Sequence, residues 1–101
     1  MEIAKVDANL RVRHMTIEDC KKKIHLHILE KFPLAKKRNL RSGDPLLETG
    51  VLDSLGILDL VHYLEAEFGF QVTDEELLPE NFASTDVIAR FVVSKASNGE
   101  K

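Results

Sequence analysis

The sequence contains one cysteine, no tryptophan and no long apolar run. Because a disulfide needs two cysteines, no intrachain disulfide can form, and a cysteine-based metal cluster is excluded for the same reason. No apolar stretch approaches the roughly 20 residues that a membrane-spanning helix requires. The first residues alternate apolar with charged side chains, so they lack the apolar block of a signal peptide. We therefore expect a cytoplasmic protein with no membrane span, in which Cys20 is a small buried hydrophobe.

The length of 101 residues corresponds to about one domain, and a chain this short is not expected to enclose a large active-site cleft. The formal net charge is −3, and acidic residues dominate after residue 42. That part of the chain should attract a basic partner surface and repel nucleic acid. The basic clusters at 21–23 and 36–38 contain no interleaved aromatic residues, so we interpret them as solubilising surface. The four histidines show no spacing typical of a metal site.

A first helix is predicted from Ile17 to Phe32. Thr16 followed by Asp19 is close to a capping box, and Pro33 cannot continue a helix. The residues that recur at helical spacing, and that we expect to face the core, are Ile17, Cys20, Ile24 and Ile28. Residues 1–15 show no clear caps, and we treat them as a flexible N-terminal extension.

A long connection is predicted between Pro33 and Asp53, because Pro33, Gly43, Pro45 and Gly50 all interrupt regular structure. Loops of this length inside a compact domain are usually either functional or disordered. We expect this one to be packed onto the protein, since it carries five apolar anchors: Leu40, Leu46, Leu47, Val51 and Leu52.

The strongest helical pattern runs from Ser54 to Phe68 and closes at Gly69, a residue suited to the left-handed conformation after a helix end. Its apolar residues form two stripes. The first, expected to face the core, comprises Ile57, Leu60, Val61, Leu64 and Phe68. The second, expected to point outward or into a partner, comprises Leu55, Leu58 and His62.

After this helix, Thr73 and Glu76 predict a second capping box and a short helical turn to about Leu78. Ser84 or Thr85 should cap a last helix, whose inward residues are Val87, Ile88, Phe91 and Val92. No strand pattern is long enough to build a sheet. We therefore predict an all-α bundle of four helices, three long and one short, with the domain spanning residues 16–95 and a frayed polar tail at 96–101.

The stretch at residues 48–70 reads ETGVLDSLGILDLVHYLEAEFGF. Its D-S-L motif at Asp53, Ser54 and Leu55 resembles the start of the second helix in the acyl carrier protein family. The flanking segments GVL at 50–52, EAEFG at 65–69, TDEE at 73–76 and NFAS at 81–84 are similar to that family in the same order. The resemblance covers roughly Thr16 to Lys95.

This resemblance implies that Ser54 carries a 4′-phosphopantetheine arm, whose thiol holds an acyl or aminoacyl group as a thioester. The implied partners are a Mg²⁺-dependent phosphopantetheinyl transferase that uses coenzyme A, an acyl-loading ligase or transacylase, and downstream acyl-transfer enzymes. The chain would be a monomeric carrier and not a catalyst, serving a specialised lipid or secondary biosynthetic pathway. Fatty acid biosynthesis is the family's general setting.

The resemblance also implies two further sets of site residues. A surface that docks partner enzymes would comprise Asp53, Leu55, Leu58, Asp59, His62 and Glu65. A space that shelters the acyl chain would be lined by Leu60, Val61, Leu64, Phe82 and Ile88. Because the ring of Phe82 is bulky, we expect that space to be small or closed in the unloaded protein. Ser54, Leu55 and Gly56 are similar to the Ser-x-Gly helix start of D-alanyl carriers. This similarity favours a specialised cargo over long-chain fatty acids.

Other interpretations of the motif stay open on the sequence. Ser54 could be a plain N-cap that accepts a hydrogen bond from a helix amide, with Asp53 as a second possible cap. The chain could carry an aminoacyl group of the D-alanyl or peptidyl type, or it could be a helical interaction module with no covalent cofactor. A serine hydrolase is rejected, since no Asp-x-x-His follows Ser54 and the one histidine after it, His62, lies on the same helix.

Overall fold

The computed structural model describes residues 16–98, and the predictions for residues 1–15 and for the last three residues lie outside that range. The described residues form four α-helices and two short 3₁₀ turns, with no strand among them. The helices are α1 (Ile17–Lys31), α2 (Pro33–Lys37), α3 (Ser54–Phe68) and α4 (Thr85–Asn98), and the 3₁₀ turns are Asp74–Glu76 and Pro79–Phe82. The predicted all-α bundle is confirmed. In the described residues, no helix is both long and apolar enough to cross a membrane.

The first helix begins as its sequence predicts. The Asp19 amide donates to the Thr16 hydroxyl over 3.1 Å, and the Thr16 amide donates back to the Asp19 carboxylate over 3.2 Å, so the capping box is complete. Three of its four predicted core residues are buried, namely Cys20, Ile24 and Ile28. The fourth prediction is wrong, because Ile17 is 38% exposed. It is the first residue of the helix, where fewer neighbours are available to cover a side chain.

The short α-helix lies where the sequence predicted only loop. Pro33 ends α1 and is also the first residue of α2, a position at which proline loses nothing because the amide there has no helical acceptor. Ala35 is fully buried and holds α2 against the core. Asn39 then adopts a left-handed conformation with φ 50°, and the Leu40 amide donates to the carbonyl of Ala35 over 2.9 Å. The proline therefore separates two helices and does not start a long loop.

The rest of the connection is fastened to the bundle, as its apolar residues predicted. The Leu46 amide donates to the carbonyl of Ala83 over 2.9 Å, and the Leu52 amide donates to the carbonyl of Leu46 over 3.0 Å. The loop closes on itself between Leu46 and Leu52 and is joined to the start of α4. Four of the five predicted anchors are buried, and the fifth, Leu47, packs against the core: the buried ones are Leu40, Leu46, Val51 and Leu52.

His25 joins three parts of the fold. Its Nε2 lies 3.0 Å from the carbonyl oxygen of Leu40, and its Nδ1 lies 3.1 Å from the hydroxyl of Thr85. Since a carbonyl can only accept, Nε2 is the nitrogen that carries a proton. The ring thus connects α1 to the connecting loop and to the first residue of α4, and Thr85 is fully buried beneath it.

The second half of the chain follows the predicted order of elements. Ser84 caps α4, because its hydroxyl accepts from the Val87 amide over 3.2 Å, which settles the choice between Ser84 and Thr85. The second capping box forms between Thr73 and Glu76, although it opens a 3₁₀ turn that ends at Glu76. Helix α4 continues through Asn98, so the first three residues of the expected tail are helical.

One core unites all these elements. The first apolar stripe of α3 is buried except for Ile57, which is partly covered. On α4, Ile88 and Val92 are buried, whereas Val87 and Phe91 are only half-buried. Helix α1 packs along α4. The core therefore sits between the three long helices, with the connecting loop covering one side.

Replacing Leu46 with alanine tests whether the connection contributes to stability. Leu46 is fully buried, so the substitution should lower the free energy of unfolding by about 2–5 kcal/mol, as in a helix core. Leu55→Ala is the matched control, because Leu55 is 74% exposed and its truncation should change that free energy by less than about 0.5 kcal/mol. Urea unfolding measures both. Equal midpoints for the two variants would contradict a packed loop.

Candidate functional site

Ser54 is the first residue of α3, and its side chain is exposed. The N-cap is Asp53, whose carboxylate accepts from the Gly56 amide over 2.8 Å, and whose carbonyl accepts from the Ile57 amide over 2.8 Å. The interpretation of Ser54 as the cap is therefore wrong. Since Asp53 takes that role, the Ser54 hydroxyl caps no amide, and it forms no hydrogen bond with the residues from 16 to 95.

The start of α3 favours an anion attached to Ser54. The first amides of a helix lack helical acceptors, and the helix dipole places partial positive charge there, which stabilises a nearby anion by about 0.3–1 kcal/mol at an exposed site. Only one of these amides, that of Gly56, is taken by the carboxylate of Asp53. The amides of Ser54 and Leu55 precede it in the same turn. A phosphodiester on Ser54 would therefore lie in a compatible environment.

Gly56 is buried beneath two side chains from other parts of the fold. A Cβ atom at this position would lie 3.0 Å from Phe32 Cε1 and 3.0 Å from Leu52 Cδ1. Phe32 is the residue between α1 and α2, and Leu52 ends the connecting loop. The glycine thus lets the end of α1 and the end of the loop approach the first turn of α3. Sequence reasoning missed this role, because nothing near Gly56 in the chain signals Phe32.

The predicted docking residues share the outer side of α3, with one qualification. Leu55 is 74% exposed and Leu58 is 46% exposed, and His62 lies one turn further on and is exposed as well. Asp53 and Asp59 are also exposed. Glu65 is half-buried and accepts a hydrogen bond from the Val72 amide over 2.9 Å, so this carboxylate also secures the chain after α3.

The five residues predicted to shelter a cargo are brought together, but as packed core. Each is buried: Leu60, Val61, Leu64, Phe82 and Ile88. The ring centroids of Phe82 and Phe91 lie 5.9 Å apart. Phe91 also packs edge to face against Phe70, with ring centroids 6.3 Å apart.

A third side of α3 faces α1 through long side chains. The Tyr63 ring stacks on His27 with centroids 3.7 Å apart, the Tyr63 hydroxyl lies 3.4 Å from the carbonyl of Lys23, and Lys23 Nζ pairs with Glu67 at 2.6 Å. Burial, with a smaller contribution from Glu67, raises the pKa of Tyr63 to about 12. Burial, followed by the charge of Lys31, lowers the pKa of His27 below its usual 6.5. His27 therefore favours its neutral form more strongly than a solvent-exposed histidine does.

The fold and this serine define a class of protein, namely a small helical carrier domain with an exposed serine at the start of its central helix. The sequence profile of the family described as "Phosphopantetheine attachment site" matches residues 34–92. The chain is also 35% identical over 66 residues to "Probable acyl carrier protein PigG" of Serratia sp. (strain ATCC 39006), an alignment that covers 65% of this chain and 76% of that protein.

The chain therefore belongs to the phosphopantetheine-binding acyl carrier protein family. The prosthetic group of this family is 4′-phosphopantetheine. The protein is a carrier and not an enzyme. These findings confirm the resemblance drawn from the residues around Asp53, Ser54 and Leu55.

Replacing Asp53 and Ser54 one at a time shows which of the two residues caps α3. Asp53→Ala should lower the free energy of unfolding by about 0.5–2 kcal/mol, because the Gly56 amide loses its acceptor. Ser54→Ala should change it by less than about 0.5 kcal/mol, since its hydroxyl caps nothing. Asp53→Asn is the control and should keep most of the stability, as asparagine is an equally good cap. Urea unfolding of the three variants decides, and a larger loss in Ser54→Ala would contradict the assignment.

The lowered pKa of His27 predicts a pH dependence of stability. The unfolded chain, in which a histidine has its ordinary pKa, binds the proton more tightly than the folded protein does. The free energy of unfolding should therefore fall as pH decreases from about 6.5 through the lower pKa of the folded state. His27→Gln should remove this part of the decline, and His62→Gln, at an exposed position, should not. Urea unfolding at about pH 8 and about pH 5 provides the test.

Proposed function

We propose that Ser54 is the residue that bears the 4′-phosphopantetheine arm. The single observation that carries this proposal is the exposed, unbonded hydroxyl of Ser54 at the start of α3, within the region 34–92 that matches the family profile. The serine oxygen forms a phosphodiester bond with the phosphopantetheinyl group of coenzyme A, 3′,5′-ADP leaves, and the hydroxyl proton passes to a base of the transferase. When attached, the arm supplies a thiol that holds an acyl group as a thioester.

The residues of this chain have separate tasks in that role. The Asp53 cap and the packing of Gly56 hold the first turn of α3 in place, so the attachment oxygen is presented from a rigid support. The exposed leucines at 55 and 58 stay available for a partner because the core face of α3 is on another side. Nothing in this arrangement requires the chain to perform chemistry itself.

We also propose that partner enzymes dock on the outer side of α3. The stripe of Leu55, Leu58 and His62 would contribute apolar contact area. The carboxylates of Asp53 and Asp59 would attract basic residues, as would Glu65 where its contact with Val72 leaves it accessible. The partners would be a phosphopantetheinyl transferase, an acyl-loading ligase or transacylase, and downstream acyl-transfer enzymes. The chain would meet them as a monomer, through the domain at residues 16–95.

The proposed cargo is a specialised acyl group. The description of the Serratia relative as a probable acyl carrier protein supports an acyl cargo over an aminoacyl one of the D-alanyl or peptidyl type. The space between α3 and α4 would admit a chain only after Phe82 turned, at a cost of about 0.5–1.5 kcal/mol in altered side-chain geometry and contacts. A compact cargo avoids that cost, whereas a long-chain fatty acid does not.

Mass spectrometry tests the attachment residue. The intact chain, incubated with coenzyme A, Mg²⁺ and a broad-specificity phosphopantetheinyl transferase, should gain the mass of one phosphopantetheinyl group. Ser54→Ala should gain none, whereas Ser94→Ala, which removes another exposed serine of the domain, should be modified like the wild type. No gain in the wild type, together with undiminished partner binding by Ser54→Ala, would favour a non-covalent interaction module instead.

Comparing two loading routes tests the cargo. Adenylating ligases that supply short or specialised acyl groups should load the modified protein at least about tenfold more efficiently than a fatty-acid synthase transacylase does, a difference of about 1.4 kcal/mol in transition-state stabilisation. Loading is followed as thioester formation in the intact mass. Efficient use by the transacylase, with long chains buried in the bundle, would refute the preference for a compact cargo.

A further inference from the structure

A cavity of about 220 Å³ lies beside α3, between that helix and the end of α1. It is lined by His27, Lys31, Phe32 and Asp59. None of these residues takes part in attaching the arm, and only Asp59 belongs to the outer side of α3 described above. The cavity therefore adjoins the proposed docking surface but extends it onto another helix.

The cavity lies between two contacts that join α3 to the end of α1. Phe32 closes over Gly56 at one end, and the stack of His27 on Tyr63 closes the gap one turn beyond Asp59. Asp59 lies between these contacts and lines the cavity, and its carboxylate forms no hydrogen bond or ion pair with residues 16–95. The short side chain of Asp59 leaves the space between Phe32 and the stacked rings unfilled.

The lining has a definite chemical character. Phe32 supplies an apolar ring, and the His27 ring is held in place by its stack on Tyr63. Lys31 supplies donors with a positive charge and Asp59 supplies acceptors with a negative charge, so these two charges sum to zero. A cation such as an arginine side chain would be repelled by Lys31, and an anion would be repelled by Asp59. A neutral, planar group that both donates and accepts fits this lining better than a charged one.

We propose that this cavity anchors a tyrosine side chain of a partner enzyme that docks on the stripe of Leu55, Leu58 and His62. The ring of the tyrosine packs between Phe32 and His27, and its hydroxyl donates to Asp59 and accepts from Lys31. Aromatic residues with a polar end are frequent anchors at protein interfaces, since they bury a large area while their polar atom keeps a partner. This inference rests on the proposed function, because it assigns part of the surface that meets the partners of the carrier.

NMR titration of the full-length, ¹⁵N-labelled chain with p-cresol, the side-chain analogue of tyrosine, tests the cavity directly. Saturable shifts should occur at the amides of 27, 31, 32 and 59, with a Kd of about 1–10 mM, as expected for a fragment of this size. Toluene, which lacks the hydroxyl, and n-propylguanidinium, the analogue of arginine, should each bind at least about fivefold more weakly.

Two variants make the test specific. Asp59→Asn should weaken p-cresol binding several-fold by replacing the charged acceptor, whereas Asp74→Asn, at an exposed position in the first 3₁₀ turn, should leave it unchanged. Absence of saturable shifts at the cavity, equal binding of toluene, or a preference for n-propylguanidinium would each overturn the proposal. The titration uses the unmodified chain, so a negative result leaves the attachment at Ser54 to be judged by mass spectrometry alone.

Discussion

The packing of Phe32 and Leu52 against Gly56 is the contact on which the rest of the site depends. A glycine without a Cβ lets the end of α1 and the end of the connecting loop meet the backbone of α3 in its first turn. In the same turn the Asp53 carboxylate caps the helix by accepting from the Gly56 amide, and the Ser54 hydroxyl has no hydrogen-bond partner among residues 16–95. The exposed position of Ser54 therefore depends on how the end of α1, the end of the loop and the first turn of α3 converge.

Helix α3 has three distinct sides, and this division would let one helix both hold the fold and meet the partners that we propose for it. One side is buried in the core, one meets α1 through Tyr63 and Glu67, and one is exposed through Leu55 and Leu58. Because these sides do not overlap, substitutions on the exposed side can change recognition with little effect on stability. Substitutions on the core side and on the side that faces α1 should lower the stability of the fold.

The connection before α3 is held in one position by backbone hydrogen bonds and buried side chains. Its amides reach fixed acceptors at Ala83 and Leu46, and its leucines fill the core beside the three long helices. A loop held in this way can deliver Ser54 to one position, whereas a free loop of the same length would leave the start of α3 to fray. His25 strengthens the same arrangement by linking α1 to Leu40 and Thr85.

The sequence by itself determined the features that depend on near neighbours in the chain. Helical periodicity, both capping boxes, the stop at Pro33 and the left-handed Gly69, whose φ is 75°, involve residues within a few positions of one another. The D-S-L motif within this pattern was enough to indicate the family.

Only the tertiary structure decided which of several local options was taken. Both Asp53 and Ser54 can cap a helix, and residues after Pro33 can be loop or helix, with small differences in free energy between the choices. Tertiary contacts between distant segments override such small differences in local free energy. Examples are Phe32 on Gly56 and the Leu46 amide with the Ala83 carbonyl. The cap at Asp53 uses the Gly56 amide three residues away, so the local sequence offered it as one of two options. The cavity beside Asp59 depends on His27, Lys31 and Phe32, and no pattern near Asp59 indicates it because these residues belong to another part of the chain.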